Sequence, residues 1–454
     1  MKFRLIAFIA VVLLTNYGCK KIEHSADVET APATSASNMR APSTAPSLLE
    51  WQKCLGSTSG EVPREMKRTS DGGYIIAANS GGSNNGDVTT TGQGGYDAWI
   101  VKLSSAGIIE WTKTYGGAGY DWIIDVAETI DGYVFCGTTH SFPVVNSTVG
   151  NAWLVKIDKN DGRVLWEKVV GGSGRDNFSS ISVTAANEIL VAGSTKSTDH
   201  PDFDNSLKGG GDAWIAKYSN DNGTRVWSKV YGGTLNDDAS YIVEYNGNFI
   251  IGGVTTSADG DLSGTVNKGG NDVWIFKVDP SGEVIPGSQK VFGGSGEESQ
   301  TRILHNPNGG FVMSVITTSN DGDVSGNQGS QDGWVVKLDE NFNITSKICL
   351  GGSSSDYLRL QDIDATSKDI FLVGSTSSKS ISGYKGNSDV WVVRLSEGLA
   401  VKNSKALGGQ WGETGWSAAP ATGGYFVSAR TASNNGDVSG NHGSDDVWLV
   451  KLKF

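Results

Sequence analysis

Two sets of acidic residues recur along this chain at spacings that could support chemistry. The first places one carboxylate per repeat just after a glycine-containing turn: Glu61, Asp121, Asp176, Asp237, Glu298, Asp356 and Glu413. Seven carboxylates at equivalent positions would form an acidic ring able to hold a cation or a basic ligand. The other reading is that each caps its own turn by accepting backbone N–H groups, and a residue used in every repeat is expected to be structural. The second set lies in loops such as "NDGDVSG", where Asp87, Asp261, Asp323 and Asp437 follow Asn85, Asp259, Asp321 and Asn435 by two positions. Alternating oxygen-bearing side chains around a glycine suit calcium. Each loop nevertheless lacks the terminal bidentate Glu and offers only about two carboxylates, whereas calcium takes six to eight oxygens. Asn, Asp and Gly are also what tight turns require, so the expectation is a turn, with Asp87, Asp261, Asp321, Asp323 and Asp437 as the calcium candidates.

A third set breaks the repetition. Arg64, Trp122, Tyr241, Arg302, Arg359 and Trp416 fall in equivalent segments of different repeats. Arginine and aromatic side chains collected around one opening would make a ligand site; ordinary strand packing is the alternative. Catalytic signatures are missing. The five His residues are scattered, and no nucleophile–His–acid order, zinc spacing or phosphate loop stands out.

What must position these residues is a unit of about sixty residues. The motif Trp-aliphatic-x-Lys-aliphatic occurs at Trp99, Trp153, Trp214, Trp274, Trp334 and Trp448, with Arg replacing Lys after Trp391. Each unit also contains a segment like "EWTKTYGG", a segment following the acidic residue, and one like "GYIIAANS". All are short, rich in Val, Ile, Trp and Tyr, and bounded by Gly, Asp or Asn, as strands are. Four strands in each of seven units predict an all-β fold, a single seven-bladed β-propeller over residues 49–454. The first unit opens on a spare strand, Glu50–Leu55, and the last ends on the Trp448 strand. Pairing these two would complete the last blade and remove its open edge.

Alternation of strands puts the glycine turns and the long Asn/Asp loops on one rim and the short turns on the other. Loops on a rigid scaffold commonly carry function, which favours the long-loop rim. Asp97, Asp212, Asp272, Asp332, Asp389 and Asp446, with Asn151 in the remaining unit, precede the repeated Trp by two positions and are expected to satisfy loop N–H groups. The repeated Trp residues are expected in the core.

The "YGG", "GGSG-acid", "DGGY", "NDGDVSG" and "D-x-W-x-x-K" motifs resemble the seven-bladed β-propeller repeats of bacterial surface and secreted proteins, including Bacteroidota-type lipoproteins. The resemblance covers about residues 49–454. It implies an architecture and is nearly silent on activity.

The start of the chain reads as a leader. "MKFR" is basic, Leu5–Leu14 is apolar, and "GC" follows at Gly18–Cys19. This resembles a lipobox, with residues 1–18 as signal peptide and Cys19 as the lipidated residue; Asn16 departs from the usual aliphatic. Residues 19–48, rich in Ala, Pro, Ser and Thr, read as a flexible tether holding the body roughly 30 Å from its anchor. The expected location is the outer membrane as a lipoprotein, with secretion as the alternative. The other cysteines, Cys54, Cys136 and Cys349, lie in strand-like segments and suggest buried small side chains rather than disulfides.

The net charge of −12 argues against nucleic acid. The function expected is a non-catalytic binding or scaffold module, a monomer or a subunit of an envelope complex, meeting a protein or glycan partner at its long-loop rim. A polysaccharide lyase or glycosidase is the alternative. That enzyme would need a deep central pocket with converging Tyr, His, Arg or paired carboxylates. No cofactor is expected, calcium aside.

Overall fold

Strand-forming residues alternate with glycine-bounded turns along most of the chain, and the backbone follows that pattern. The computed structural model describes residues 48–454 except 83, 91, 93, 143–148, 200–202 and 205. The leader, Cys19 and the tether up to residue 47 lie outside the described residues. Seven antiparallel four-stranded sheets are present, forming the blades of a β-propeller. Their innermost strands are Glu61–Arg68, Asp121–Glu128, Asp176–Val183, Asp237–Tyr245, Glu298–His305, Asp356–Ile363 and Glu413–Ala421, numbered here as blades 1 to 7. Each inner strand touches those of both neighbouring blades, and blade 7 touches blade 1, so the ring is closed.

Closure uses the spare strand. Leu49–Leu55 pairs antiparallel with Asp446–Lys453 and becomes the outer strand of blade 7, with Cys54 opposite Trp448. The expected clasp is therefore present, one residue longer than the sequence suggested. The outer strand of blade 4 is the shortest, Lys290–Phe292, where the "EWTKTYGG" pattern has decayed to "SQKVFGG".

The third strand of every blade carries the repeated Trp. All seven are at most 1 % exposed and fill the spaces between blades. In blades 2, 4 and 5 the Lys that follows reaches across to a turn of the next blade, whereas Lys102, Lys217 and Lys451 find partners within their own blades. Lys156, Lys277 and Lys337 donate to the carbonyls of Asn220, Glu340 and Glu397 at 2.7–3.0 Å. A buried ammonium needs such partners, which explains why a cation recurs within a core strand. Cys54, Cys136 and Cys349 are free thiols, the first two buried. Among the described residues, no helix is long and apolar enough to cross a membrane.

Candidate functional site

Every inner strand is broken by a register shift at mid-length. An ordinary strand points alternate side chains to opposite faces. A bulge lets two successive residues face the same way. In blades 1 to 5 the third and fourth residues after the blade's acidic residue line the central channel, and in blades 6 and 7 the third alone does so. The third-residue column is Arg64, Ile124, Ser179, Ser240, Thr301, Arg359 and Trp416. The fourth-residue column contributes Glu65, Asp125, Ser180, Tyr241 and Arg302. Together with Gln300 they enclose a cavity of about 330 Å³ on the propeller axis. Three residues of strand place it about 10 Å below the long-loop rim.

Five of the six residues singled out in the sequence, Arg64, Tyr241, Arg302, Arg359 and Trp416, are in this wall. Trp122 stands beside it, stacked on Tyr96 with centroids 5.2 Å apart and 5.6 Å from the Arg64 guanidinium. Arg64 also lies 4.7 Å from the Trp416 ring centre, and Arg359 lies 4.3 Å from it. One indole thus supports two cations. Arg302 sits over Tyr241 at 5.8 Å. In blade 5 the shift skips two residues, and Gln300 takes a positive φ of 54°. That turn brings its Oε1 to 2.8 Å from Arg359 Nε.

Sequence reasoning missed the charged partners Glu65, Lys67 and Asp125 and the hydroxyls of Ser179, Ser180 and Ser240. Aligning the repeats on the acidic residue and reading the next columns would have found all but Lys67. Glu65 accepts hydrogen bonds from Arg302 Nη2 at 2.8 Å and from Ser417 Oγ at 2.9 Å. Lys67 Nζ lies 3.2 Å from Glu65 and 3.8 Å from Asp125. Asp125 accepts the backbone N–H of Ile181 at 3.0 Å. Burial pushes the Glu65 carboxyl up, but Arg302 and Lys67 outweigh it and hold Glu65 below the usual range. Burial also pushes Asp125 up, and Lys67 offsets this only in part. Arg359 is drawn down to about 10 by burial and by repulsion from Arg302 and Arg64. Among the described residues, no carboxylate lies within ion-pairing distance of Arg64 or Arg359. Arg64 Nε and Trp416 Nε1 are buried without a hydrogen-bond partner.

The acidic ring faces elsewhere. Glu61, Asp121, Asp176, Asp237, Glu298, Asp356 and Glu413 are at most 3 % exposed. Each accepts the backbone N–H four residues before it, at 2.7–3.1 Å. Hydroxyls at the end of the second strand add further bonds, as Ser80 does to Glu61 and Thr317 to Glu298 at 2.6–2.8 Å. These carboxylates hold turns and do not project into the channel cavity.

The loop aspartates are likewise engaged. Asp87, Asp261, Asp323 and Asp437 each accept the N–H of the glycine that opens an inter-blade turn, at 3.0–3.2 Å. Three of them also meet a lysine from the preceding blade: Lys208 on Asp261, Lys268 on Asp323 and Lys385 on Asp437. Asp321 accepts the Ser295 N–H at 2.6 Å. Among the described residues there is no group of three or more metal-ligating side chains.

The aspartates before the repeated Trp form a second buried layer. Asp332 is driven up to about 7 by burial, with repulsion from Asp356 added and one N–H from Gln328 opposing. Asp212 and Asp389 are driven up to about 6 in the same way. In Gly56, Gly293 and Gly408, a Cβ would meet the carboxylates of this Asp and of the next acidic ring residue at 2.5 Å or less. Close approach between blades therefore requires glycine there.

No family model matches the chain, and no curated protein matches it. Solved structures share the fold at low identity. A protein of unknown function from Dyadobacter fermentans is 11% identical, with a TM-score of 0.48, over 89% of this chain and 99% of that one. The WD40 β-propeller domain of Doa1 is 13% identical, with a TM-score of 0.45, over 89% and 97%. Hydrazine synthase of Kuenenia stuttgartiensis is 11% identical, with a TM-score of 0.48, over 80% and 92%.

Proposed function

We propose that the chain is a non-catalytic binding module of the cell envelope, held by a lipid on Cys19, which receives a glycan through the channel mouth on its long-loop rim. The observation that carries this reading is the contrast between repeated and unrepeated side chains. The repeated acids are consumed by turns, whereas the cavity wall differs in every blade. A wall of that kind, concave and with a few converging polar groups, is the usual form of a small-ligand site. Its volume is at the lower end of the range for such pockets, roughly 300–1,000 Å³. Around the mouth, Tyr120, Leu235 and Trp411 stand more than half exposed in the turns that enter blades 2, 4 and 7. They supply apolar contact for a partner that covers the rim.

The test is binding of the lipid-anchored or acyl-free mature chain to an immobilised glycan panel. Retention of a defined glycan, lost in Trp416→Ala, is the expected result. Binding that is indifferent to Trp416 and to Tyr241 would place the site elsewhere.

A second reading is favoured by one observation. Glu65 and Asp125, both on the cavity wall, are displaced in opposite directions, the arrangement that assigns base and acid roles in carbohydrate-cleaving enzymes. Tyr241 and the arginines complete the set that such an enzyme requires. Against it, Glu65 is tied to Arg302, Lys67 and Ser417, and Asp125 to a backbone N–H. Release of shorter sugars from a bound polysaccharide, abolished by Asp125→Asn, would decide for the enzyme.

A further inference from the structure

We propose that the cavity recognises an acidic sugar, a hexuronate, with its carboxylate against Arg64 and Arg359 and its hydroxyls toward Ser179, Ser180 and Ser240. A ligand of this class presupposes the binding role proposed above and narrows it.

The ring order of the blades makes the cavity two-sided. Blades 6, 7 and 1 are neighbours, and they present Arg359, Trp416 and Arg64. Blades 3 and 4 lie opposite, and they present the serine hydroxyls. The cations on the cavity belt are Arg64, Lys67, Arg302 and Arg359, against the anions Glu65 and Asp125. Arg302 and Lys67 already neutralise those two carboxylates. Two guanidiniums remain without an anion, inside a protein whose net charge is −12.

The chemistry follows from the groups. A guanidinium is a planar fork that matches a carboxylate with two parallel hydrogen bonds. Trp416 holds both guanidiniums by their faces; Gln300 Oε1 takes the Nε and Nη2 donors of Arg359, which leaves Arg359 Nη1 and the terminal nitrogens of Arg64 for a ligand. Arg64 and Arg359 face each other across Trp416 with no carboxylate beside either, and a charge taken out of water without a counter-ion is costly. A carboxylate supplies acceptors and relieves the mutual repulsion of the arginines. Hydroxyls on the far wall match a polyol body, and Ile124 between the two sides offers an apolar surface for ring C–H groups.

The experiment is titration calorimetry of the mature chain with glucuronate, glucose, acetate and an oligouronate. Glucuronate should bind roughly tenfold or more tighter than glucose, because a charge-assisted hydrogen-bonded pair is lost with the carboxylate. It should also outbind acetate, which lacks the hydroxyls. Affinity should fall with salt. Arg359→Lys keeps the charge but not the fork and should weaken glucuronate by a similar factor, with an unchanged melting temperature showing that the variant is folded. Arg64→Ala gives an independent second reading. A tighter oligouronate identifies a polysaccharide as the source, and equal or weaker oligomer binding identifies the free sugar acid; both support the inference. Equal binding of acetate and glucuronate, or glucuronate affinity indifferent to both arginines, overturns it. If a neutral glycan binds in a Trp416-dependent way while glucuronate does not, the acidic-sugar inference falls and the binding role stands. If no carbohydrate of either kind binds, both fall.

Discussion

Trp448 Nε1 donates a 2.7 Å hydrogen bond to Gln52 Oε1, joining the last strand of the sequence to the first strand of the propeller. In blades 2, 3 and 6 the same indole donor goes to Glu167, Ser228 and Ser404 of the outer strand, and in blade 4 to Gln289 just before it. Gln52 therefore does for the borrowed strand what these residues do in an ordinary blade. Gln52→Ala leaves a buried indole N–H unpartnered and should cost about 1–3 kcal/mol in urea unfolding. Gln52→Glu, copying blade 2, should restore most of it. Deleting residues 49–55 should abolish the single cooperative transition by opening the edge of blade 7.

The comparison also identifies a repairable defect. The Trp334 indole N–H is buried without a partner. The equivalent acceptor position is Lys347, which can only donate. Lys347→Gln should raise stability by about 1 kcal/mol. A loss in urea unfolding would mean that the Lys347 bond to the Asp323 carbonyl matters more than the indole.

The buried aspartates set a pH dependence. Asp332 has a folded value raised to about 7, above the unfolded value of roughly 3.9. Between those values the folded chain retains a proton that the unfolded chain has released, so stability is lost as pH rises through the window. Asp332→Asn removes this term and imitates Asn151 of blade 2. Its melting temperature minus that of the parent should grow from pH 4 to pH 8. A constant difference would show that Asp332 does not titrate there.

Calcium should leave the melting temperature unchanged at micromolar concentrations. The loop carboxylates already accept glycine N–H groups, and three of them already hold a lysine. A rise in melting temperature that is lost in Asp321→Ala with Asp323→Ala would make these loops metal sites.

Cys19→Ala should move the protein from the membrane fraction to the soluble fraction, with mass spectrometry reporting the acyl chain on the parent alone. An unmodified mature N-terminus at another residue would mean simple secretion.

The blades were legible because their marks repeat. Trp99 and its six counterparts, the Lys or Arg after each, and the glycines between buried carboxylates answer to packing that is the same in every copy. The clasp was legible because a strand was left over at one end and one was missing at the other. The site was legible only in part. Arg64, Arg359 and Trp416 were found by their chemistry, but so was Trp122, which stands behind Arg64 rather than in the wall. Simple alternation puts the first, third and fifth residues after the acid on one face. In blades 1 to 5 the bulge puts the third and fourth there, and a bulge is a property of two strands in register, not of one strand's composition. Glu65, Asp125, Ser179 and Ser240 could not be chosen without it.

In six of the seven blades the channel residue three places after the acid is skipped by the strand beside it. Its identity is thus invisible to the pairing that builds the ring. Single codon changes at those places would alter the chemistry of the channel wall, and with it the proposed ligand, while the molecule's assembly into blades stays constant. Inheritance of the scaffold and inheritance of the specificity are separable, and two descendants of one such gene could part company in ligand long before they differ in shape.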